Sequence, residues 1–119
     1  MDQALNTIVY DDFARVDMRA GLITAAEALP KSELLKLQVD FGELGTRQVL
    51  ARLGKSYEPA TLVNLTAAFV VNLPPRTMKD LESNGMILAA EVKDSDVPAP
   101  HRVAVVLLPG TVRPGTRLG

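Results

Sequence analysis

Alternation of apolar and polar residues is the strongest pattern along this chain, and its period of two is that of half-buried β-strands. It is clearest from Leu35 to Phe41, where Lys36, Gln38 and Asp40 separate the apolar residues. Gly21 interrupts the first alternating segment and predicts a bulge or a sharp bend there. The pattern predicts five strands, at Val16 to Leu22, Leu35 to Phe41, Arg47 to Leu53, Thr66 to Leu73 and Met86 to Glu91.

One short helix is predicted between the third and fourth strands. It covers roughly Pro59 to Val63, since proline is well tolerated in the first turn of a helix. Three strands, a helix and two strands are the element order of a five-stranded Greek-key barrel of the OB type. An SH3-like barrel is the main alternative, but it has no helix at that place. The predicted fold class is therefore all-β, an OB-fold barrel with a short helix between strands three and four.

Smaller elements are predicted on either side of the barrel. Tyr10 to Arg15 predict one helical turn capped by an aspartate, and residues 93–102 predict a polar loop. Val103 to Leu108 form a very apolar segment for which a five-stranded barrel has no partner strand, and Thr111 to Leu118 are also strand-like. We therefore expect residues 92–119 to form a C-terminal β extension at the interface of a homodimer.

The segment between the fourth and fifth strands has the character of a binding loop. Asn72 to Ala90 contain two adjacent prolines, the cations Arg76 and Lys79, and a Ser-Asn-Gly turn, and apolar runs lie on both sides of this loop. Nothing in it resembles a nucleophile, a metal cage or a phosphate loop. The segment predicts a binding surface mounted on a sheet rather than a catalytic centre.

Length and composition narrow the class of protein. The chain has 119 residues, which predicts a single domain over 1–119. The longest apolar runs fall well short of the ~20 residues that span a bilayer, and no export signal is apparent at the N-terminus, so we expect a cytoplasmic protein without membrane association. The absence of cysteine excludes disulfides and thiolate metal sites. A net charge of -1 argues mildly against nucleic-acid binding, although a local basic patch stays open.

Candidate binding residues lie on the predicted second and third strands and in the loop before the fifth strand. OB barrels bind ligands on the face of strands two and three, and arginine can hold a phosphate through two parallel hydrogen bonds. Each candidate also has an interpretation without binding. A cation can lie on a solvated surface, the Ser-Asn-Gly segment can be an ordinary tight turn, and Met86 can pack in the core. The candidate residues are Lys36, Arg47, Arg52, Lys55, Arg76, Lys79, Ser83, Asn84, Gly85 and Met86.

Aromatic residues are too few for a stacking platform. Phe13, Phe41 and Phe69 occupy apolar positions and are predicted to lie in the core, which leaves Tyr57 with a fair chance of exposure. This shortage favours recognition of a folded RNA by backbone and shape over single-strand recognition.

An enzyme is not indicated. His101 is the only histidine and has no partner in its loop, Asp94 and Asp96 are too few for a calcium site, and no nucleotide-binding glycine motif occurs. We therefore predict a binding protein without a cofactor.

Several motifs of the chain resemble one family. Residues 13–21 resemble the F-x-x-V-D-x-R-x-G opening of the free-standing tRNA-binding domains, OB-fold proteins related to the C-terminal part of bacterial methionyl-tRNA synthetase. Leu34 to Gly42, residues 72–76, Ser83-x-Gly85-Met86 and Pro114-Gly115 fit the same template in the same order. The chain departs from it at Lys31-Ser32-Glu33, where the family often has Ala-Asp-Lys, and at Ala51, where a serine is common.

The resemblance implies a function as well as a fold. The family implies a homodimeric cytoplasmic protein that binds tRNA by its shape. The Asn-Leu-Pro-Pro-Arg form and the Asp40-Phe41-Gly42 ending most resemble the branch of secretion-related chaperones called CsaA, which implies binding of unfolded or export-bound polypeptides as the alternative. The departures at Glu33 and Ala51 leave open whether RNA binding is weakened.

Overall fold

The central element of the fold is an eleven-residue strand, β1, that pairs antiparallel with neighbours on both sides. The computed structural model describes residues 5–92 and 102–119. One α-helix, α1 (Tyr10–Ala14), precedes this strand, and 3₁₀ helices lie at Gly42–Leu44 and Pro59–Leu62. The strands are β1 (Met18–Ala28), β2 (Leu35–Asp40), β3 (Thr46–Ala51), β4 (Thr66–Val70), β5 (Arg76–Met78), β6 (Leu81–Ser83), β7 (Met86–Ile87), β8 (Ala89–Glu91), β9 (Val103–Val105), β10 (Leu107–Leu108) and β11 (Arg117–Leu118).

The main sheet has seven strands. Its path is β10-β4-β1-β2-β3, with β7 added to β4 and β11 added to the start of β1. Two smaller sheets are the hairpin β5-β6 and the pair β8-β9. The predicted helix between the third and fourth strands is present as the 3₁₀ helix Pro59–Leu62. The protein is therefore mostly β with one short α-helix, as the alternating pattern predicts.

Gly21 and the β-bulge lie at different positions in β1. The register against β2 slips between Ile23 and Ala25, so the bulge lies there and not at Gly21. Gly21 is needed for another reason. A Cβ atom on it would lie 2.5 Å from a methyl carbon of Val39 and 2.7 Å from the ring of Phe41. The glycine allows the core to pack directly against the backbone of β1.

The core is built from alternate residues of the strands. Leu35, Leu37 and Val39 of β2 are fully buried, while the residues between them face outward. The rings of Phe41 and Phe69 meet edge to face, with centroids 5.1 Å apart. Such a pair contributes about 0.5–1.5 kcal/mol beyond the area it buries. The alternation in the sequence therefore identifies the core side of the sheet correctly.

The apolar segment after residue 102 does have partners within the chain. β9 pairs with β8, and β10 pairs with Thr66 and Ala67 of β4. Because β7 is only two residues long, it covers only Phe69 and Val70 and leaves the other end of β4 available. The prediction that Val103 to Leu108 lacks a partner strand is therefore wrong. The homodimer that rests on this expectation stays a prediction, and its interface needs another surface.

The predicted fifth strand is divided in two. Leu88 separates β7 from β8, and its N–H donates to the carbonyl of Ala68 while its own carbonyl accepts from Val106. The chain changes its partner strand from β4 to β9 at this point. β3 contacts the β6–β7 segment through single bonds instead of a continuous ladder, with the Asn84 N–H 2.8 Å from the carbonyl of Gln48.

The helical turn at the front is confirmed, but its predicted cap is not. The residue before α1 is Val9, whose side chain accepts no hydrogen bond, and Asp11 and Asp12 lie inside the first turn. Among the described residues no helix is both long and apolar enough to cross a membrane. Most of the predicted polar loop, residues 93–101, lies outside the described residues. This part includes Asp94, Asp96 and His101.

Two glycine motifs of the sequence pack against each other at one end of the sheet. Gly42 has a φ of 64°, and a Cβ atom on it would lie 2.5 Å from the carbonyl oxygen of Pro114. Gly115 has a φ of 86°, and a Cβ atom on it would collide with the carbonyl oxygen of Phe41. We call this contact the glycine interlock. It joins the end of β2 to a turn more than 70 residues later.

The Asp17 carboxylate lies near the same end, between Arg19 of β1 and Arg117 of β11. It accepts hydrogen bonds from Arg19 Nε at 2.6 Å and Nη2 at 3.1 Å, and it lies 4.0 Å from Arg117 Nε. Arg19 Nη1 also donates to the carbonyl of Gly115 at 3.1 Å. The hydrogen bonds from Arg19 lower the pKa of Asp17 below its usual value, although partial burial opposes this. The contacts that Asp17 and Arg19 make within the fold are therefore sufficient to explain the Val-Asp-x-Arg motif.

Candidate nucleic-acid interface

An apolar groove lies between the end of β3 and the hairpin β5-β6. Its volume is about 280 Å³, and Arg52 and Arg76 contribute to its lining. Met86 is 46% exposed there, so core packing does not account for its side chain. The main apolar residues of this groove, which we call the methionine groove, are Leu34, Leu50, Leu53, Met78, Met86 and Ile87.

A second concave surface lies on the other side of Arg52. Lys31, Arg52 and Lys55 line it together with a single carboxylate, that of Glu33. Its volume is about 530 Å³, and all three cations are exposed. We call it the basic pocket. Arg52 lines both cavities, so the methionine groove and the basic pocket adjoin at this residue.

Backbone contacts hold the two loops of the basic pocket together. The Gly54 N–H donates to the carbonyl of Glu33 at 2.7 Å, which joins the loop after β3 to the loop before β2. Within the loop before β2, the Leu34 N–H donates to Ser32 Oγ at 3.0 Å. A Cβ atom on Gly54 would lie 2.8 Å from the same Glu33 carbonyl oxygen. Because the loops approach so closely, Lys31 and Lys55 lie on the same cavity although they are far apart in sequence.

The hairpin β5-β6 places Arg76 and Met78 beside the groove. Its turn contains Lys79 and Asp80, with φ values of 48° and 64°, as in the tight turns that join twisted strands. Arg76 pairs with Ser83 across the hairpin. The hairpin lies in the predicted binding loop, because strands of three residues are too short to show alternation.

The Ser-Asn-Gly segment fixes the hairpin to β3. Ser83 is buried, its Oγ accepts the Leu50 N–H at 2.9 Å, and it donates to the carbonyl of Gly85 at 3.2 Å. The Asn84 N–H donates to the carbonyl of Gln48 and is therefore not available to a ligand. Gly85 has a positive φ, 145°. Ser83, Asn84 and Gly85 therefore position Met86.

Two predicted cations have partners within the protein. Lys36 Nζ lies 2.7 Å from a Glu27 carboxylate oxygen. Arg47 Nη1 donates to the carbonyl of Val71 at 2.7 Å, and its guanidinium lies 6.0 Å from the centre of the Phe41 ring. Neither residue lines the methionine groove or the basic pocket. Of the predicted residues, Arg52, Lys55, Arg76 and Met86 come together, while Lys79 lies at the hairpin tip.

Sequence reasoning missed Lys31 and Met78. In the sequence, Lys31 stands out only as part of a departure from the family template, yet its side chain lines the basic pocket. Met78 occupies the position opposite Leu81 in a hairpin that was not predicted. A signal existed for both, since Met78 lies inside the predicted binding loop and Lys31 lies four residues before the predicted second strand.

Phe41 and Phe69 are fully buried as predicted, whereas Tyr57 and Phe13 differ from the prediction. The Tyr57 hydroxyl accepts the Val105 N–H at 2.9 Å, and the ring packs against the core. Phe13 is 38% exposed and lies 6.2 Å from Tyr10, centre to centre, on α1. Within residues 5–92 and 102–119, no three histidine, cysteine or acidic side chains come close enough to hold a metal ion.

The chain is similar to parts of much longer enzymes. It is 51% identical to the methionine–tRNA ligase of Methanococcoides burtonii over 83 residues, which are 69% of this chain and 12% of that protein. It is 37% identical to the methionine–tRNA ligase of Porphyromonas gingivalis over 112 residues, which are 93% of this chain and 15% of that protein. The chain therefore spans about an eighth to a seventh of the length of these relatives.

Solved structures match it over nearly their whole length. The chaperone CsaA of Bacillus anthracis superimposes with a TM-score of 0.82 at 30% identity, covering 96% of this chain and 100% of that one. A MetRS-related protein of Pyrococcus horikoshii gives 0.85 at 30% identity, covering 97% and 100%. Residues 18–117 match the family model described as "Putative tRNA binding domain". On this match, the chain belongs to the tRNA-binding domain family.

Proposed function

We propose that this protein binds tRNA through the surface formed by the methionine groove and the basic pocket. The observation that carries the proposal is the position of Arg52, which joins a cavity with three cations to a groove bordered by Arg76. Membership of the tRNA-binding domain family supports the ligand class. Because exposed rings are few, the protein holds folded tRNA mainly through its phosphates and its shape.

The protein acts by binding and not by catalysis. The similarity to methionine–tRNA ligases covers only a small part of those enzymes, so their activity is not carried over. The fold that supports this function is an OB-type barrel, in which the segment from β6 to β7 completes the barrel against β3. Cytoplasmic localisation fits a tRNA ligand.

The proposal is tested by titrating total tRNA into the protein at low and at moderate salt. Arg52→Ala and Arg76→Ala should each weaken binding and reduce the slope of log K against log salt by about 1, as loss of one phosphate contact does. Arg113→Ala is the matched control, because it removes an exposed arginine that lines neither cavity. Absence of tRNA binding even at low salt would overturn the proposal.

A second candidate function is binding of unfolded or export-bound polypeptides. The similarity to a chaperone CsaA and the apolar walls of the methionine groove favour it. An extended segment would place an apolar side chain in the groove. Binding to an unfolded polypeptide that changes little with salt and falls with Met86→Ala, without any tRNA binding, would replace the first function by this one.

A homodimer is also proposed, and α1 provides a suitable surface for it. Tyr10, Phe13 and Val16 are exposed on or next to α1, and they line one cavity with residues 117–119 of the predicted C-terminal extension. A second copy would cover this apolar surface. Two linked binding surfaces would raise the apparent affinity for one tRNA if both can reach it.

A further inference from the structure

We propose that the surface takes one unpaired nucleotide, with its base in the methionine groove between Met78 and Met86 and its phosphate in the basic pocket. This inference rests on the proposed tRNA binding and adds to it, since contact with phosphates and shape alone uses no apolar groove. The place in the RNA would be a loop, a bulge or an end, because a base within a duplex has no free face.

The walls of the methionine groove suit a flat aromatic ligand. Met78 and Met86 contribute two flexible thioethers, and Leu50 and Ile87 are buried behind them. Sulfur in contact with an aromatic ring contributes about 0.3–1.5 kcal/mol, and methionine adapts its shape to what it contacts. Two thioethers can thus hold a base without the aromatic side chains on which single-strand binders usually rely.

The charges select a nucleotide over an apolar peptide side chain. Lys31, Arg52 and Lys55 surround a cavity that has one carboxylate, Glu33, and this cavity adjoins the apolar groove at Arg52. Arg76 adds a further cation at the groove itself. A ligand that matches both the apolar groove and the cations carries a flat ring and an anion on adjacent groups, as a nucleotide does. An apolar peptide would leave the basic pocket unused.

The built-in rigidity of the site supports a defined subsite. Gly85 has a φ of 145° and lies close to Val49, and Ser83 ties the same turn to the Leu50 N–H. These contacts fix the start of β7, from which Met86 projects. The backbone from which the Met86 side chain projects is therefore set by the fold before any ligand arrives, which reduces the ordering cost of binding.

Methionine methyl groups provide a direct test. The chain has four methionines, so their ε-methyl signals can be followed individually by nuclear magnetic resonance in protein labelled at that carbon. A single-stranded RNA pentanucleotide should shift the signals of Met78 and Met86 upfield through the ring current of a bound base. Met18, which lines neither cavity, is the internal reference. A ribose-phosphate chain of the same length without bases, and inorganic phosphate, should leave both signals in place.

Affinity for tRNA gives the second readout. Met86→Ala should weaken tRNA binding roughly 2- to 12-fold, the range expected for loss of one sulfur–ring contact of about 0.3–1.5 kcal/mol, without changing the salt slope. Lys31→Ala should reduce the slope by about 1. Leu107→Ala, which removes a similarly exposed apolar side chain on β10, is the control and should change neither.

The outcomes separate this proposal from the one on which it rests. If tRNA binds with the expected salt dependence, but the methyl signals stay in place or Met86→Ala has no effect, the nucleotide subsite is wrong and the tRNA function stands. If tRNA does not bind, both fail. If a peptide of aliphatic residues shifts the two methyl signals and competes with RNA, the groove is a peptide site and the subsite proposal is overturned.

Discussion

Gly115 illustrates how a single residue can be required by the backbone of another element. Its α-carbon faces the carbonyl of Phe41, its φ of 86° lies in the left-handed region, and its own N–H donates to Ala20 at 2.8 Å. A side chain at this position would meet backbone atoms, which cannot move aside as the end of a flexible side chain can. The glycine interlock therefore depends on the absence of a Cβ atom on both sides.

Gly115→Ala should lower the free energy of unfolding by about 2–4 kcal/mol, since steric overlap and an unfavourable φ both contribute. Two other glycines provide matched controls. Gly45 has a φ of 82° with open space around it, so Gly45→Ala reports the conformational cost alone, and Gly110→Ala should stay within about 0.5 kcal/mol of the parent protein. Urea denaturation measures all three, and equal values for Gly115→Ala and Gly45→Ala would contradict the steric argument.

The individual cations show why only part of the candidate site can be predicted from the sequence. Arg52 and Arg76 extend from the ends of short elements and are exposed, as their position next to loops indicates. Arg47 has the same local pattern, yet it donates to the carbonyl of Val71, which is 24 residues away. Lys36 is likewise paired with Glu27 on the neighbouring strand. Periodicity gives the face on which a residue lies, but not the partner that tertiary structure brings to it.

Elements at the end of the sheet are held by a small polar cluster. The five-residue helix α1 is too short to persist alone, and two side chains bind the carbonyls at its end. Asn72 Nδ2 donates to Arg15 at 2.6 Å, and Arg117 Nη2 donates to Ala14 at 3.0 Å. Arg117 and Arg19 both lie next to the Asp17 carboxylate, so α1, β1 and β11 depend on one another.

Acid should loosen this cluster in a defined direction. Because the hydrogen bonds from Arg19 lower the pKa of Asp17, its carboxylate stabilises the folded state fully above the unfolded pKa of about 3.9, and this contribution is lost as pH falls through the lower folded pKa. Asp17→Asn should cost about 1 kcal/mol at neutral pH and flatten the decline in stability below about pH 4. Asp12→Asn, at an exposed position in α1, is the control. An unchanged acid profile in Asp17→Asn would contradict the argument.

Strands were more predictable than the connections between them. The alternation of β2 and the apolar run of β4 are visible in the sequence, because burial on one or both faces leaves a pattern of at least five residues. The hairpin β5-β6 leaves none, and its turn uses Lys79 and Asp80 at positive φ instead of the glycine that marks such turns. The division at Leu88 depends on two partner strands and has no local signal.

The molecule as a whole has its two candidate surfaces built from different parts of the chain. The methionine groove and the basic pocket use residues 31–89 and Val103, whereas the apolar surface of α1 is completed by residues 117–119. Phe13 and Val16 of the F-x-x-V-D-x-R-x-G motif line the second surface, whereas the Phe41-Gly42 and Pro114-Gly115 motifs form the glycine interlock. The Ser83-x-Gly85-Met86 motif belongs to the first surface, where it positions Met86, and Arg76 and Leu34 of two other family motifs also line it.

The dimer is tested best with a charge placed on α1. Tyr10 is 75% exposed, so Tyr10→Glu should leave the fold intact and, by burying a carboxylate at the seam, shift the protein to monomers in sedimentation velocity. Leu107→Glu introduces the same charge at an exposed apolar position of β10 and should leave the dimer in place. Dissociation by Leu107→Glu but not by Tyr10→Glu would place the interface on β10 instead.

The glycine interlock also has a consequence for how the chain is made. β1 is synthesised before the turn that it contacts, and Ala20 and Arg19 find their partners Thr116 and Gly115 only after almost one hundred further residues. During synthesis, all residues of the two candidate cavities therefore emerge before the end of the sheet can close. Until residues 114–118 emerge, Arg19 and the end of β2 lack the contacts that they make with this turn in the folded protein.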